Sequence, residues 1–165
     1  MRVVDSPNQD ARPAGTEISL AVIHCISLPP GGYGGDAIER LFTNRLDPQA
    51  HPYFRQIHGM KVSAHFLVRR DGELVQFVPV ARRAWHAGAS SWRGRSRCND
   101  FSVGIELEGT EDSPFEDAQY RTLVDLLKGL GLREIAAHSD VAPGRKTDPG
   151  AHFDWPRVLT ALASY

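Results

Sequence analysis

Runs of apolar residues alternate with polar segments rich in glycine and proline along the 165-residue chain. The first run, residues 18–26, is nearly continuous and rich in β-branched residues, which predicts a strand buried on both faces. Residues 63–68 and 74–78 flank Asp71-Gly72, a strong tight-turn signal, and predict a β-hairpin. The sequence FSVGIEL at residues 101–107 predicts a further strand, with Glu106 on the face opposite its apolar side chains.

Helical patterns occupy the rest of the apolar sequence. Leucines at helical spacing predict a helix from Ser113 or Glu116 to about Gly129, where glycine ends it. Shorter elements are predicted elsewhere: helices over 37–43, 53–58 and 154–163, and strands at 84–87 and 135–138. Together these elements predict an α/β (α+β) fold, a mixed central sheet flanked by helices, in a single domain over residues 1–165.

Three segments without clear periodicity are expected outside the core. Residues 1–17 are polar and contain two prolines, which predicts an extended arm lying on the surface. Residues 88–100 predict a long polar loop that contains the arginine run RGRSR. Residues 137–150, AHSDVAPGRKTDPG, hold four glycines and prolines and predict an ordered loop rather than a helix.

Composition narrows the class of protein. The hydrophobic fraction of 41% and charged fraction of 24% are typical of a soluble globular domain. The net charge of -1 gives no general attraction to nucleic acid or to anionic membranes. Two cysteines without a CxxC pair, no secretory signal and no segment long enough to span a bilayer favour a cytoplasmic location. We expect no nucleic-acid, membrane or obligate protein partner.

Three side chains form a candidate metal site. His24 lies near the end of the first buried strand, His138 ends a short strand, and Asp148 lies in the loop that follows. Imidazole and carboxylate groups are good zinc ligands, and three protein ligands leave a fourth position for water, as in catalytic sites. The simpler alternatives are a core histidine at position 24 and an ordinary surface loop at 137–150.

Glu106 and Lys146 are candidates for the chemistry at such a site. A carboxylate in an apolar strand must be paired, bound or functional, so Glu106 is either a general base for water or half of a salt bridge. Lys146 is placed to stabilise an oxyanion. Glu108 lies past the end of the strand and ranks lower. His65 and His86 are weaker candidates, as substrate contacts, as partners of a metal ligand, or as structural residues.

Six long segments resemble one enzyme family. They are VIHCISLPPGGYGG, LDPQAHPYF, VSAHFLVRRDGELVQFVP, RAWHAG, CNDFSVGIELEGT and HSDVAPGRKTDPG, and together they span most of residues 20–156. Through them the chain resembles the AmpD-type N-acetylmuramoyl-L-alanine amidases of bacterial cell-wall recycling. The resemblance implies a zinc hydrolase with a mixed sheet, similar to phage T7 lysozyme-like amidases and peptidoglycan recognition proteins.

The resemblance also implies roles for residues. The zinc ligands of the family correspond to His24, His138 and Asp148, its catalytic glutamate to Glu106, and the lysine of its KTDPG motif to Lys146. The family cleaves the amide between the lactyl group of 1,6-anhydro-N-acetylmuramic acid and L-alanine of the stem peptide. An anhydro-muropeptide is therefore the expected substrate.

Substrate contacts follow from the same comparison. Arg97 occupies the position expected to bind a peptide carboxylate, and Trp85 and Tyr53 are candidates to line the sugar and peptide cleft. Lys61 stands where a second peptide-binding arginine is expected, so it keeps the charge and loses the bidentate geometry. Cys25 stands where asparagine is usual after the first ligand.

Two alternatives remain open at this point. A peptidoglycan-fragment binding module without catalysis is one, although such relatives usually lack a zinc ligand and this sequence lacks none. An amidase that prefers intact murein would use the same residues. The sequence also leaves open whether the glycine-rich loop at 31–35 moves as a lid.

Overall fold

The computed structural model describes residues 1–164, in which ten strands and five α-helices are formed. The strands are β1 (Arg2–Val3), β2 (Gln9–Ala11), β3 (Leu20–Ile26), β4 (Phe66–Val68), β5 (Leu74–Gln76), β6 (Arg82–Ala84), β7 (Ser91–Trp92), β8 (Arg95–Ser96), β9 (Ser102–Glu108) and β10 (Ile135–Ala137). The helices are α1 (Ala37–Phe42), α2 (Phe54–Ile57), α3 (Asp117–Leu130), α4 (His138–Val141) and α5 (Trp155–Ala163).

A six-stranded sheet with the order β1-β5-β4-β9-β3-β10 forms the centre of the molecule. Its strands are parallel to their neighbours except β5, which runs antiparallel to β4. Two short ribbons, β2–β6 and β7–β8, complete the strand pairing. The predicted mixed sheet flanked by helices is therefore confirmed.

The long helices α3 and α5 cover one face of this sheet. Glu116 and Gln119 form a capping box at the start of α3, and Gly131 ends the helix in the left-handed conformation, with φ 69°. The buried side chains of this core come from four strands and two helices: Ala21, Ile23, Phe66, Val68, Val103, Ile105, Leu107, Ile135, Tyr120, Leu123, Leu127, Val158 and Leu162.

Two smaller apolar clusters cover the opposite face. One packs α1 and α2 against the sheet through Phe42, Phe54 and Phe77, and the other surrounds Leu20 and Val22. Because side chains alternate along a strand, residue 24 of β3 lies on this same face as residues 20 and 22. This face therefore changes from apolar to polar toward the carboxyl ends of the central strands.

The N-terminal arm differs from its prediction. Strand β1 pairs with β5 and extends the main sheet, and β2 pairs with β6. Ser6 and Asn8 between them are 2% exposed, and Asn8 Nδ2 donates hydrogen bonds to Asn44 Oδ1 and to the Val62 carbonyl. The backbone of this extended, largely exposed arm finds partners on two sheet edges, a pairing that the prediction did not include.

Two predicted loops contain regular structure. Residues 88–100 include the hairpin β7–β8, whose turn residues Arg93 and Gly94 both have positive φ, 49° and 79°. Within 137–150, residues His138–Val141 form α4, so the prediction of a loop without helix was wrong there. The predicted strand at 84–87 lies earlier, as β6. Among residues 1–164, no helix has both the length and the apolar character needed to cross a bilayer.

Candidate active site

The central strands bring the candidate residues together at one edge of the sheet. His24 of β3 lies directly opposite Glu106 of β9 in the parallel register. On the other side of β3, β10 pairs through Ala137 with Ile23, and His138 follows as the first residue of α4. Since all three strands run in the same direction, their carboxyl ends deliver these side chains to a common place.

His24, His138 and Asp148 converge closely enough to hold one metal ion. The Nδ1 atoms of the two histidines are 2.9 Å apart, and Asp148 Oδ2 lies 3.2 Å from each of them. Both histidines are buried, with 2% and 5% of their surface exposed. Two imidazoles and one carboxylate on a common centre form the donor set of a zinc site that keeps an open position.

The pKa values at this site favour the protonation states that a metal requires. Burial lowers the pKa of His24, although the hydrogen bond with Asp148 opposes the change. Burial disfavours an ionised Asp148, but hydrogen bonds from His138 and His24 outweigh it and hold the pKa of this carboxyl below its usual range. A neutral imidazole beside an ionised carboxylate is the state in which both can bind a cation.

Glu106 is a buried carboxylate beside this cluster. Its Oε1 lies 3.9 Å from His24 Nδ1, and its Oε2 is buried without a hydrogen-bond partner among residues 1–164. Burial, with a further contribution from the charge of Asp148, raises the pKa of Glu106 well above its usual value, and the charge of Lys146 opposes the rise. A carboxylate with an unoccupied oxygen and a raised pKa is suited to accept a proton from water.

Hydrogen bonds hold the loop that carries Lys146 and Asp148. The Asp148 carbonyl accepts a hydrogen bond of 3.1 Å from the Ser139 amide, which ties the loop to α4. The Arg145 side chain donates to the carbonyls of Ala87 and Ala89, 2.6 and 2.8 Å away. Lys146 is itself exposed and lines the cleft beside Asp148.

These residues lie in a cleft of about 940 Å³. Tyr53, Ile57 and Met60 contribute to its lining, as do residues 109–112 and 145–148. A second groove of about 470 Å³ shares Trp85 with the cleft. The candidate metal site is therefore open to a substrate that is larger than a single sugar or amino acid.

A family model described as N-acetylmuramoyl-L-alanine amidase matches residues 14–151. The chain belongs to this family. The predicted resemblance and the predicted enzyme class are thereby confirmed.

Individual relatives of this amidase agree with the family assignment. The present chain is 53% identical to the 1,6-anhydro-N-acetylmuramyl-L-alanine amidase AmpD of Escherichia coli (strain K12), with 98% of this chain and 92% of that protein covered. The enzyme of the same name from Salmonella typhimurium (strain SL1344) is 52% identical, with 99% and 92% covered.

Solved structures share the fold. A crystal structure of a selenomethionine AmpD derivative has a TM-score of 0.92 and 52% identity, covering 98% of this chain and 93% of that one. The amidase AmiD from Escherichia coli, in complex with the substrate anhydro-N-acetylmuramic acid-L-Ala-D-gamma-Glu-L-Lys, has a TM-score of 0.63 and 30% identity. That comparison covers 91% of this chain and 60% of AmiD.

The predicted substrate contacts of the amidase lie in several places in the structure. Tyr53, Trp85 and His86 line the cleft. Arg97, with 76% of its side chain exposed, lines the adjoining groove. Lys61 is exposed, and its neighbours in sequence, Met60 and Val62, line the cleft. Five predicted contacts therefore lie in or next to the two depressions.

His65 is the exception among these predictions. Its side chain has no exposed surface, and its Nδ1 accepts a hydrogen bond from the Gly104 amide. Its Nε2 lies 2.9 Å from the Arg82 carbonyl and 3.1 Å from Arg12 Nη2. This placement contradicts the predicted substrate contact and leaves the structural role, in which the ring joins β9 to its neighbours.

The sequence analysis did not identify the residues whose hydrogen bonds support the candidate site. Arg145, Asn99, Ser102 and the carbonyl of Ala87 make hydrogen bonds to its side chains or to the segments that carry them. The only signal for them in the sequence is that they lie near a candidate residue. Nearness in the sequence does not show whether a side chain faces the site. Their part in the site depends on contacts between distant segments.

Proposed function

We propose that this amidase uses zinc to hydrolyse the amide between the lactyl group of 1,6-anhydro-N-acetylmuramic acid and L-alanine of the stem peptide. The cytoplasmic recycling of cell-wall fragments is the proposed setting, and residues 1–165 the proposed single catalytic domain. The observation that carries the proposal is the convergence of His24, His138 and Asp148 beside the unpartnered Oε2 of Glu106. The names of the relatives over 50% identical support the substrate.

His24, His138 and Asp148 are the proposed zinc ligands. Their three ligand atoms lie within 4.8 Å of one another, and nitrogen and oxygen donors suit zinc. Zinc bound there supplies Lewis acidity, which polarises the amide carbonyl and makes water a better nucleophile at neutral pH. The protein contributes the orientation of the ligands and the residues that move protons.

Glu106 is the proposed general base and general acid. It accepts a proton from the attacking water and then delivers a proton to the nitrogen of the leaving L-alanine. Its raised pKa suits both steps, because a group that exchanges protons works best with a pKa near the working pH. The buried, unpartnered Oε2 supports this assignment, since a carboxylate in a structural ion pair would have its oxygens occupied.

Lys146 is the proposed stabiliser of the negative charge that develops on the carbonyl oxygen. Its ammonium group is exposed at the cleft and close enough to Glu106 and His24 to affect both pKa values. A positive charge already in place at the oxyanion lowers the energy of the transition state without reorganisation. The conservative variant Lys146→Met removes the charge and keeps most of the side-chain volume.

Arg97, Lys61, Tyr53 and Trp85 are the proposed substrate contacts. Tyr53 and Trp85 offer aromatic surface in the cleft, which suits sugar rings and the apolar parts of a peptide. The exposed cationic side chains of Arg97 and Lys61 suit the carboxylates of the stem peptide. This arrangement makes an anhydro-muropeptide the proposed partner molecule, with no protein partner required.

The decisive experiment measures metal and turnover together. Protein purified without chelator is expected to hold one zinc per chain and to release free stem peptide from an anhydro-muropeptide. His138→Ala is expected to lose both the metal and the activity. Wild-type protein that binds the fragment without releasing peptide would instead support a binding module, and faster release from whole sacculi than from soluble fragments would support an intact-murein amidase.

A further inference from the structure

Two consecutive residues contact the far sides of both histidine ligands. His86 Nδ1 lies 2.9 Å from His24 Nε2, and the Ala87 carbonyl lies 3.1 Å from His138 Nε2. In each ligand the nitrogen nearest the other ligand is Nδ1. Residues 86–87 therefore hold the outer nitrogens, while the inner nitrogens face the shared centre.

The contact at Ala87 favours the tautomer of His138 that carries its proton on Nε2. A carbonyl oxygen only accepts hydrogen bonds, so His138 Nε2 must carry the proton and donate it. A neutral ring that keeps this hydrogen bond has an unprotonated Nδ1, so when a cation replaces the Nδ1 contacts with His24 and Asp148, the lone pair faces that cation. The backbone thereby prepares His138 to bind a cation through Nδ1.

The contact at His86 has the same consequence for His24. If His24 binds the metal through Nδ1, its Nε2 carries the proton and needs an acceptor, and His86 Nδ1 is the atom within hydrogen-bonding distance. His86 Nε2 then carries a proton and donates it to Ser102 Oγ, 3.1 Å away. One consistent set of protons satisfies the whole chain from Ser102 to the ligand.

The position of residues 86–87 is itself closely constrained. Asn99 Oδ1 accepts hydrogen bonds from the amides of both His86 and Ala87, at 3.2 and 2.9 Å. The His86 ring lies against Gly104, where a Cβ atom would be 2.4 Å from the ring. Only glycine at position 104 of β9 leaves room for the His86 ring, because any Cβ atom there would overlap with it.

We propose that His86 is a positioning residue that orients His24 as an Nδ1 zinc ligand by accepting a hydrogen bond from its Nε2–H group. The Ala87 carbonyl does the same for His138, so one dipeptide orients both imidazoles. This inference rests on the zinc site of the proposed function. Loss of such a partner typically weakens metal binding about 10- to 100-fold.

Matched variants of His86 separate its two hydrogen bonds. Asparagine places its amide oxygen near the position of imidazole Nδ1 and keeps an acceptor for His24. Glutamine reaches the position of Nε2 instead, so it retains the contact with Ser102 and leaves His24 without an acceptor. The control is His65→Gln, because His65 is a histidine of the same region, more deeply buried than His86, that makes no hydrogen bond to either histidine ligand.

The measurement is the zinc dissociation constant by competition with a chromophoric chelator, alongside thermal unfolding of each metal-free protein. We expect His86→Gln to raise the dissociation constant about 10- to 100-fold. His86→Asn is expected to stay within about three-fold of wild type, and His65→Gln within about two-fold despite a lower melting temperature. Equal weakening in His65→Gln and His86→Gln, or none in His86→Gln, would overturn the inference.

A measurement on the wild-type protein does not depend on any variant folding. Long-range ¹H–¹⁵N spectra of the zinc-loaded enzyme are expected to show His24 and His138 protonated at Nε2 and metal-bound at Nδ1. An unprotonated Nε2 on His24 would refute the assigned role of His86. If wild-type protein binds no zinc at all, the proposed function fails; if it binds zinc with the other tautomer, only this inference fails.

Discussion

Two glutamates on β9 share a strand and a face and have opposite surroundings. Glu106 and Glu108 are both buried, with 9% and 2% of their surface exposed. Glu108 Oε2 accepts hydrogen bonds of 2.9 Å from Arg69 Nη1 and from the Gly34 amide, and its Oε1 accepts one of 3.1 Å from the Arg70 amide. Glu106 keeps one buried oxygen without a partner within the described part of the chain.

The difference shows how the neighbours distinguish a structural carboxylate from a candidate catalytic one. Glu108 forms an ion pair with the buried Arg69 guanidinium, and through Gly34 it ties the glycine-rich loop to the sheet. Arg69 strengthens that tie by donating to the Gly35 carbonyl, 2.9 Å away. Within residues 1–164 Glu106 has no such partner, so its burial raises its pKa and leaves an oxygen available for a proton. The two residues share their type, their strand and its face, and it is their neighbours that separate them.

The largest expected effect is on catalysis at Glu106. Glu106→Gln removes the proposed general base and acid, so we expect kcat to fall by about 100- to 10,000-fold. Near pH 4.5, where the Glu106 carboxyl of the folded metal-free wild type is neutral, the free energy of unfolding should stay within about 1 kcal/mol of wild type, because no ion pair is lost. Release of stem peptide from anhydro-muropeptide and urea unfolding provide the two measurements. Turnover within a few-fold of wild type would remove Glu106 from the mechanism.

The second effect is on stability at Glu108. Glu108→Gln leaves the Arg69 guanidinium buried with a weaker partner, and we expect the free energy of unfolding to fall by about 3 kcal/mol. The zinc content of the folded variant should equal that of wild type, since Glu108 touches no ligand. An unchanged unfolding midpoint in urea would contradict the structural role of this ion pair.

A smaller effect concerns the pH dependence of stability in the metal-free protein. The folded-state pKa of Glu106 is raised above its unfolded value, so its contribution to stability is fully present below about pH 4.5, the unfolded pKa. That contribution is lost as the pH rises through the folded-state pKa. Unfolding curves between pH 4 and 8 should show this loss in wild type and in Glu108→Gln, and not in Glu106→Gln. The same slope in all three proteins would assign the loss to other groups.

The smallest effect is expected at the exposed edge of the Glu108 network. Glu73, with 44% of its side chain exposed, lies 3.2 Å from Arg2 and 4.0 Å from Arg69. Because water and salt screen exposed ion pairs, Glu73→Gln should change the free energy of unfolding by less than about 0.5 kcal/mol. A loss comparable to that of Glu108→Gln would mean that the network acts as one unit.

Much of the fold was predictable because the local pattern and the tertiary environment agree. The apolar run of β3, the Asp71-Gly72 hairpin and the helices α3 and α5 form where periodicity and capping residues indicate them. The N-terminal arm and the 88–100 segment were not predictable in the same way. Their strands are only two or three residues long, too short for a clear alternation of apolar and polar residues. In addition, β1 and β2 pair with strands that are distant in the sequence.

Sequence alone identified the residues of the candidate site and the family to which the chain belongs. His24, Glu106, His138, Lys146 and Asp148 stand out by residue type, by their positions at strand ends and by the motifs around them. Imidazole, carboxylate and ammonium groups have chemistry that does not depend on the fold, which is why a sequence can nominate them.

Only the tertiary structure decided how those residues differ from similar ones nearby. The parallel register places His24 against Glu106, and contacts from distant segments satisfy Glu108 and leave Glu106 Oε2 unpartnered. The same kind of contact separates His65, held entirely by structural hydrogen bonds, from His86, which faces a candidate zinc ligand. Burial and hydrogen-bond direction depend on which distant segments of the chain come into contact. The local sequence around a residue does not specify those contacts.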